Sequence, residues 1–351
     1  KHAPKSGGAL PPPLGRPLTT STSSSSEYPH SASSDGGLSS QRLSGSWDRH
    51  FQHHTSRSSA AAPPGVEEVL DGKLHLAPVK RARRVLDVGT GPGLWPLNPN
   101  ATVLGIDLEP VHPPYTLPNC RFQIMDATED WAFDVGLDFV HVRMLGDLAD
   151  KARLVQSIYD SLNPGGWVEI TEWIVQLQSP NHSFEGTAFH RWNLLLRQGL
   201  KKLGSSLFYP NEYKPLLRKV GFAKITETKN GAPTNACYPG KRMQKVGDMM
   251  AANWKAILKP LTMPVFTAAL NWTPEQVEAL LVDVRKEIAD TRYHSFMTLL
   301  TIYAQKPRDV SSSSASAASA SLSTPVSASA SDVQLASTAA PGAPGAPPSA
   351  S

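Results

Sequence analysis

Arg84-Val85-Leu86-Asp87-Val88-Gly89-Thr90-Gly91-Pro92-Gly93 is a short apolar run with an acid near its end, passing into a loop that has glycine at every second position. Val85, Leu86 and Val88 favour a strand, and the run is too short for a helix. The glycines stop the strand and strip side chains from the turn, so that backbone N–H groups can approach a ligand closely. The spacing differs from the Gly-x-Gly-x-x-Gly fingerprint of nicotinamide and flavin binders, whose third glycine serves helix packing.

Two further runs give this loop its meaning. Thr102-Val103-Leu104-Gly105-Ile106 is again short and apolar, and it ends in Asp107, about twenty residues past Asp87, where an open parallel sheet places the acid that holds a ribose diol. A carboxylate offers only acceptors, so it can take both hydroxyl protons. Phe122-Gln123-Ile124-Met125-Asp126-Ala127 repeats the pattern. Three strand ends carrying three acids, Asp87, Asp107 and Asp126, form a nucleoside-shaped site beside the glycine loop.

On these residues the chain resembles the class I S-adenosylmethionine-dependent methyltransferases, and within them the fungal LaeA-like group. The stretches that carry the resemblance are 71–78, 85–93, 103–110, 118–122, 126–131, 139–143 and 162–170, with a weaker match from 241 to 307; together they span roughly two thirds of the chain. The resemblance implies an α/β fold with a doubly wound, mainly parallel seven-stranded sheet and helical cap insertions. It also implies S-adenosyl-L-methionine as cofactor, held by Asp87, Gly89, Thr90, Gly91, Gly93, Asp107, Leu108, Asp126, Ala127 and Trp131. Asp107 would take the ribose. Asp126 would accept from the adenine amino group, while the next backbone N–H meets a ring nitrogen. Aromatic faces, Trp95 or Trp131, would lie against the sulfonium. No metal is implied. The partners implied are a small-molecule or protein methyl acceptor and, for the regulatory branch of the family, velvet-domain proteins. An inactive fold serving as a nuclear interaction module is the alternative.

One departure from the family stands out. Gly89 to Ala101 leaves thirteen residues for the crossover to the next strand, with Pro96 and Pro99 in its second half. A parallel crossover usually takes a dozen or more residues including a helix, and proline breaks a helix interior. The expectation is weaker cofactor binding than in relatives with a full helix here.

Leu137-Asp138-Phe139-Val140-His141-Val142-Arg143 alternates as a fourth strand, whose C-terminal end should face the acceptor. His141 is the one candidate for a catalytic role. It is either a general base or a histidine hydrogen-bonded in place, and methyl transfer from a sulfonium depends more on alignment than on proton removal. Downstream, the spacing predicts a helix from Lys151 to Leu162, a strand over Trp167–Trp173 with Glu172 at its end, and helices over Phe184–Leu203 and Tyr213–Val220. A strand over Gly221–Thr228, a Met- and Trp-bearing helical insertion from Met243, and a final strand over Phe296–Tyr303 follow. Thr273-Pro274-Glu275-Gln276 has the form of a capping box. A short helix is expected between Val66 and Leu76.

Composition sets the outer limits. The chain has 351 residues. Residues 1–64 are rich in Ser, Pro, Gly and His, and residues 309–351 in Ser, Ala and Pro, so both are expected to be disordered tails around one domain at 65–308. The lack of an initiator methionine points to a trimmed N-terminus. A net charge of +4 is no nucleic-acid signature, and Lys80-Arg81-Ala82-Arg83-Arg84 is expected to be a solvated lead into the first strand rather than an import signal. Two cysteines, Cys120 and Cys237, far apart in sequence, make neither a disulfide framework nor a zinc site. The first residues lack the apolar stretch expected of a secretory leader, and there is no run of 18 apolar residues. The expected place is the cytoplasm or the nucleus.

Overall fold

A computed structural model describes residues 66–91, 100–108, 110, 118–131, 133 and 136–308. Both predicted tails, and with them the predicted domain boundaries, lie outside the described residues. So do Gly93, Trp95 and the prolines of the first crossover.

Seven strands form one sheet: β1 (Arg84–Val88), β2 (Thr102–Asp107), β3 (Cys120–Ile124), β4 (Leu137–Arg143), β5 (Leu162–Gln178), β6 (Ala223–Pro233) and β7 (Phe296–Gln305), in the order β3-β2-β1-β4-β5-β7-β6. β1 to β5 pair in parallel, and β7 runs antiparallel between β5 and β6. The expected doubly wound, mainly parallel sheet is therefore present. The strand order reverses between β1 and β4, and ligands of open α/β sheets settle outside the carboxyl ends of the strands at such a reversal.

The helices are α1 (Val66–Val69), α2 (Lys151–Ser161), α3 (Ala188–Lys202), α4 (Tyr213–Val220), α5 (Lys241–Leu270) and α6 (Pro274–Ala289), with a 3-10 turn at Tyr209–Glu212. On one face of the sheet Leu86, Val88, Ile106, Val140, Val142, Val168 and Ile170 pack with Leu154, Val155 and Ile158 of α2 and Tyr213 and Leu217 of α4. On the other, Val85, Val103 and Phe139 meet Ala77 and Ala82 of the segment leading into β1. A larger core joins α3, α5 and α6 to the long ends of β5 and β7, with Trp192 and Trp254 fully buried in an edge-on pair. This is the helical cap, and the Met and Trp stripe of α5 is its core.

Several elements differ from expectation for local reasons. The first helix is only Val66–Val69, because Asp71 and Gly72 both take left-handed backbone angles, φ 60 and 74, where a helix cannot continue. β5 begins at Leu162: the Asn163-Pro164-Gly165-Gly166 turn is absorbed as a register shift against β4 and pairs with Lys306. α3 starts at Ala188, not Phe184, because the Thr187 hydroxyl accepts from the His190 amide at 3.0 Å and makes Thr187 the cap. α5 runs 30 residues through Pro260 and Pro264. Between those prolines Thr262 donates to the Leu258 carbonyl and accepts from the Trp192 indole at 2.7 Å. The Thr273–Gln276 capping box is formed in both directions. Lys80, Arg81, Arg83 and Arg84 are solvent-exposed, and the Arg83 and Arg84 amides donate to Asp138.

Candidate functional site

β1 cannot continue past Val88, since Gly89 takes φ 73 and Gly91 φ 52. A Cβ on Gly89 would lie 2.7 Å from Leu145 Cδ2 and 2.9 Å from the Arg143 carbonyl oxygen, so any larger residue forces its neighbours to shift. The Gly89 and Thr90 amides donate to the Ile106 carbonyl at 2.9 and 3.1 Å, and the Gly91 amide donates to Asp107 Oδ2 at 3.0 Å. The loop is thus bolted to the end of β2. Around it opens a cleft lined by Val88, Gly89, Ile106, Asp107, Leu108, Met125, Asp126, Ala127, Leu145 and Leu148. Among the described residues, a Cβ placed on Gly91 would meet nothing within 4 Å.

Asp107 and Asp126 share this cleft. Asp126 Oδ1 accepts from the Thr128 amide at 2.8 Å and hydroxyl at 2.7 Å, which fixes the turn after β3. Trp131 is half-buried, and its indole donates to the Ala127 carbonyl at 3.0 Å. It braces the Asp126–Ala127 turn and does not line the cleft. The Thr90 side chain turns the other way, over Gly105, where a Cβ would come within 2.9 Å of it.

Asp87 lies apart from the other two acids. It pairs with Gly105 and His141 in register, two residues short of the level of Asp107 along β2, and is 3% exposed. Its Oδ1 accepts from His141 Nδ1 at 2.8 Å. Because the carboxylate only accepts, this fixes the proton of a neutral His141 on Nδ1. His141 Nε2 in turn faces Arg143 Nη2 at 3.4 Å. Burial lowers the His141 pKa against the opposing pull of Asp87. At 1% exposure, with Nδ1 on Asp87 and Nε2 facing Arg143, the His141 ring is held within the sheet and does not line the cleft.

The same row continues to Glu169, opposite His141 on β5. Glu169 Oε2 accepts from the Leu76 and Ala77 amides at 2.7 and 2.6 Å, and Arg143 donates to the Leu74 carbonyl at 3.1 Å. Glu169 Oε1 has no hydrogen-bond partner among the described residues, and burial pushes its carboxyl up to about 7. The 74–77 segment is therefore strapped across the sheet by charged groups that never reach the cleft. The sequence assigned no role to Glu169 or to this segment. It also missed Leu145 and Leu148, which sit just past the end of β4, where the strand-end rule would have pointed. Cys120 and Cys237 are free thiols. Among the described residues, no group of His, Cys, Asp and Glu could hold a metal ion, and no helix is long and apolar enough to cross a membrane.

Residues 55–227 match the "Methyltransferase domain" family. The chain is 32% identical over 252 residues to methyltransferase pytC of Aspergillus terreus, covering 68% of this chain and 76% of that protein. It is 28% identical over 251 residues to the secondary metabolism regulator laeA of Aspergillus fumigatus, covering 69% and 67%. Among solved structures it is similar to phosphoethanolamine N-methyltransferase 2 of Haemonchus contortus in complex with S-adenosyl-L-methionine, at 18% identity and a TM-score of 0.42, covering 78% of this chain and 61% of that one. With the strand order and the cleft at its reversal point, the similarity to pytC establishes that this chain belongs to the LaeA-like fungal family of class I S-adenosylmethionine-dependent methyltransferases.

Proposed function

We propose that the chain binds S-adenosyl-L-methionine in the cleft at the ends of β1, β2 and β3 and transfers its methyl group to an acceptor of fungal secondary metabolism. The observation that carries this reading is the meeting of Asp107 and Asp126 in one cleft beside the Gly89–Gly91 turn. Bound there, the cofactor supplies an electrophilic methyl on a sulfonium.

The chain's own residues do the rest by placement. Asp107, whose rotamer is set by the Gly91 amide, takes the ribose hydroxyls. Asp126 accepts from the adenine amino group, and the Ala127 amide meets a ring nitrogen. Val88, Ile106, Met125, Leu145 and Leu148 supply apolar walls, which exclude water from a charged sulfonium and strengthen its electrostatic contacts. Gly89 and Gly91 admit the ligand where side chains would stand. Asp87, Thr90, His141 and Trp131 act behind the cleft by fixing β4, the glycine loop and the adenine-side turn. In-line alignment, rather than a proton-accepting side chain, is the source of the rate.

The acceptor is a small molecule or a protein, and a velvet-domain partner belongs to the same proposal on the strength of the similarity to laeA. Ultraviolet crosslinking of labelled S-adenosylmethionine to the full chain, followed by peptide mapping, tests the site. Label on peptides carrying Asp107–Leu108 or Asp126–Trp131 supports it; no label, or label confined to the cap helices, refutes it. Incubation with fungal extracts and mass spectrometry for the gain of one methyl group then identifies the acceptor.

A further inference from the structure

Glu172 sits on β5 between Ile170 and Ile174, on the face where both isoleucines pack into the core. It is 2% exposed, and packing alone would favour an apolar residue there. What it touches explains it. Just past β4, Met144 takes φ 56 and Gly146 φ 81, so the chain makes an abrupt turn through left-handed backbone that is unfavourable for methionine. The Leu145 amide at the centre of that turn donates to Glu172 Oε1 at 2.8 Å, the Gly146 amide also donates to this carboxylate, and the Tyr209 hydroxyl donates to Oε2 at 2.7 Å. Asp147 extends the same anchorage, accepting from Lys151, from the Ser205 hydroxyl at 2.7 Å and from the Ser206 amide at 3.1 Å. The turn so held carries Leu145 and Leu148 into the cleft wall, with Leu145 seated against Gly89.

We propose that Glu172 is a positioning residue for cofactor binding: its buried side chain holds the Met144–Gly146 turn so that Leu145 closes the cleft against the glycine loop. The proposal rests on the reading of that cleft as the S-adenosylmethionine site. It gives Glu172 a role one step removed from the acceptor contact that its place at a strand end suggests. It also makes the 205–212 segment, through Ser205, Ser206 and Tyr209, a support of the cleft.

Calorimetric titration of S-adenosylmethionine into the full chain, with a melting curve for each variant, separates positioning from general stability. Glu172→Leu is expected to weaken binding about tenfold, as for the loss of the hydrogen bonds that hold the Leu145 turn. Glu172→Gln keeps an acceptor for the Leu145 amide and is expected to stay within about threefold of wild type. Tyr209→Phe, which removes one donor and leaves the turn's own contacts in place, is expected to weaken binding about threefold and decides the matter should Glu172→Leu fail to fold. Unchanged affinity in folded Glu172→Leu or in Tyr209→Phe overturns the proposal. So does a Gln variant no better than the Leu variant. A wild-type chain that does not bind S-adenosylmethionine overturns the cleft reading itself, a different and recognisable result.

Discussion

Two groups of carboxylates lie within one sheet and meet opposite fates. Asp107 and Asp126 reach the open cleft, whereas Asp87 and Glu169 are sunk in a row with His141 beneath the 74–77 strap. All but Glu169 stand near the end of a strand in the sequence. Register decides between them. Asp87 pairs with Gly105, whereas Asp107 is the last residue of β2 and pairs with Ile124; one pleat period separates a carboxylate that reaches the cleft from one that holds a histidine. The buried row makes the platform, and the cleft uses its edge.

Perturbing the two groups should give separable results. The largest effect is expected for His141→Ala, which leaves the Asp87 carboxylate buried without its partner. A loss of about 3 kcal/mol follows from leaving a buried charged acceptor without its hydrogen bond, or roughly 10 °C in melting temperature for a domain of this size, with S-adenosylmethionine affinity of the folded fraction within about twofold of wild type. Full stability with methyl transfer abolished would instead restore the general-base role and erase the distinction.

Asp107→Asn should do the reverse. It is expected to cost about 2 kcal/mol of binding, near thirtyfold, because a charge-assisted acceptor for the ribose becomes a neutral amide, with a melting temperature close to wild type. Equal affinity, measured by calorimetry, would move the ribose elsewhere.

Gly89→Ala probes the seam between the two regions. It puts a Cβ at left-handed backbone and into contact with Leu145 and the Arg143 carbonyl, and a loss of roughly 1–2 kcal/mol is expected in thermal denaturation, together with weaker cofactor binding.

The smallest effect is a pH dependence confined to buried carboxyls. Burial raises Glu169 to about 7 and Glu172 to about 8, so between those values and the ordinary carboxyl range the folded chain holds protons that the unfolded chain has released. Stability is therefore expected to fall as pH rises from about 6.5 to 8, with Glu169 contributing roughly 1 kcal/mol of the fall. His141, whose pKa is lowered, contributes the opposite slope only below that window. Melting curves across it should flatten in Glu169→Gln; an unchanged slope would show that the strap carboxylate is ionised throughout.

Much of this was legible in the residues. The alternation of Leu137–Arg143 placed β4 with its observed limits, the Thr273 capping box placed the start of α6, and the acids after β2 and β3 pointed to the cleft. The family resemblance supplied the cofactor and the seven-stranded plan. Asp87 and Thr90 were grouped with the cleft because a sequence shows that an acid or hydroxyl stands near a strand end, but not how far neighbouring strands are offset or which way the side chain turns. Glu169 carries no signal because a glutamate inside a strand looks solvent-facing, and Glu172 at a strand end points to the acceptor, until the groups that bury them are known: the Leu76 and Ala77 amides for one, the Leu145 amide and Tyr209 for the other. Those partners lie 27 to 93 residues away in the chain, beyond the reach of any local pattern.

Hydrogen–deuterium exchange of the full chain with and without S-adenosylhomocysteine tests the division most directly. Protection is expected at Gly89–Gly91, Ile106–Leu108 and Met125–Ala127, with the 74–77 strap unchanged. Protection confined to the strap or to the cap helices, with the glycine loop unaffected, would contradict it.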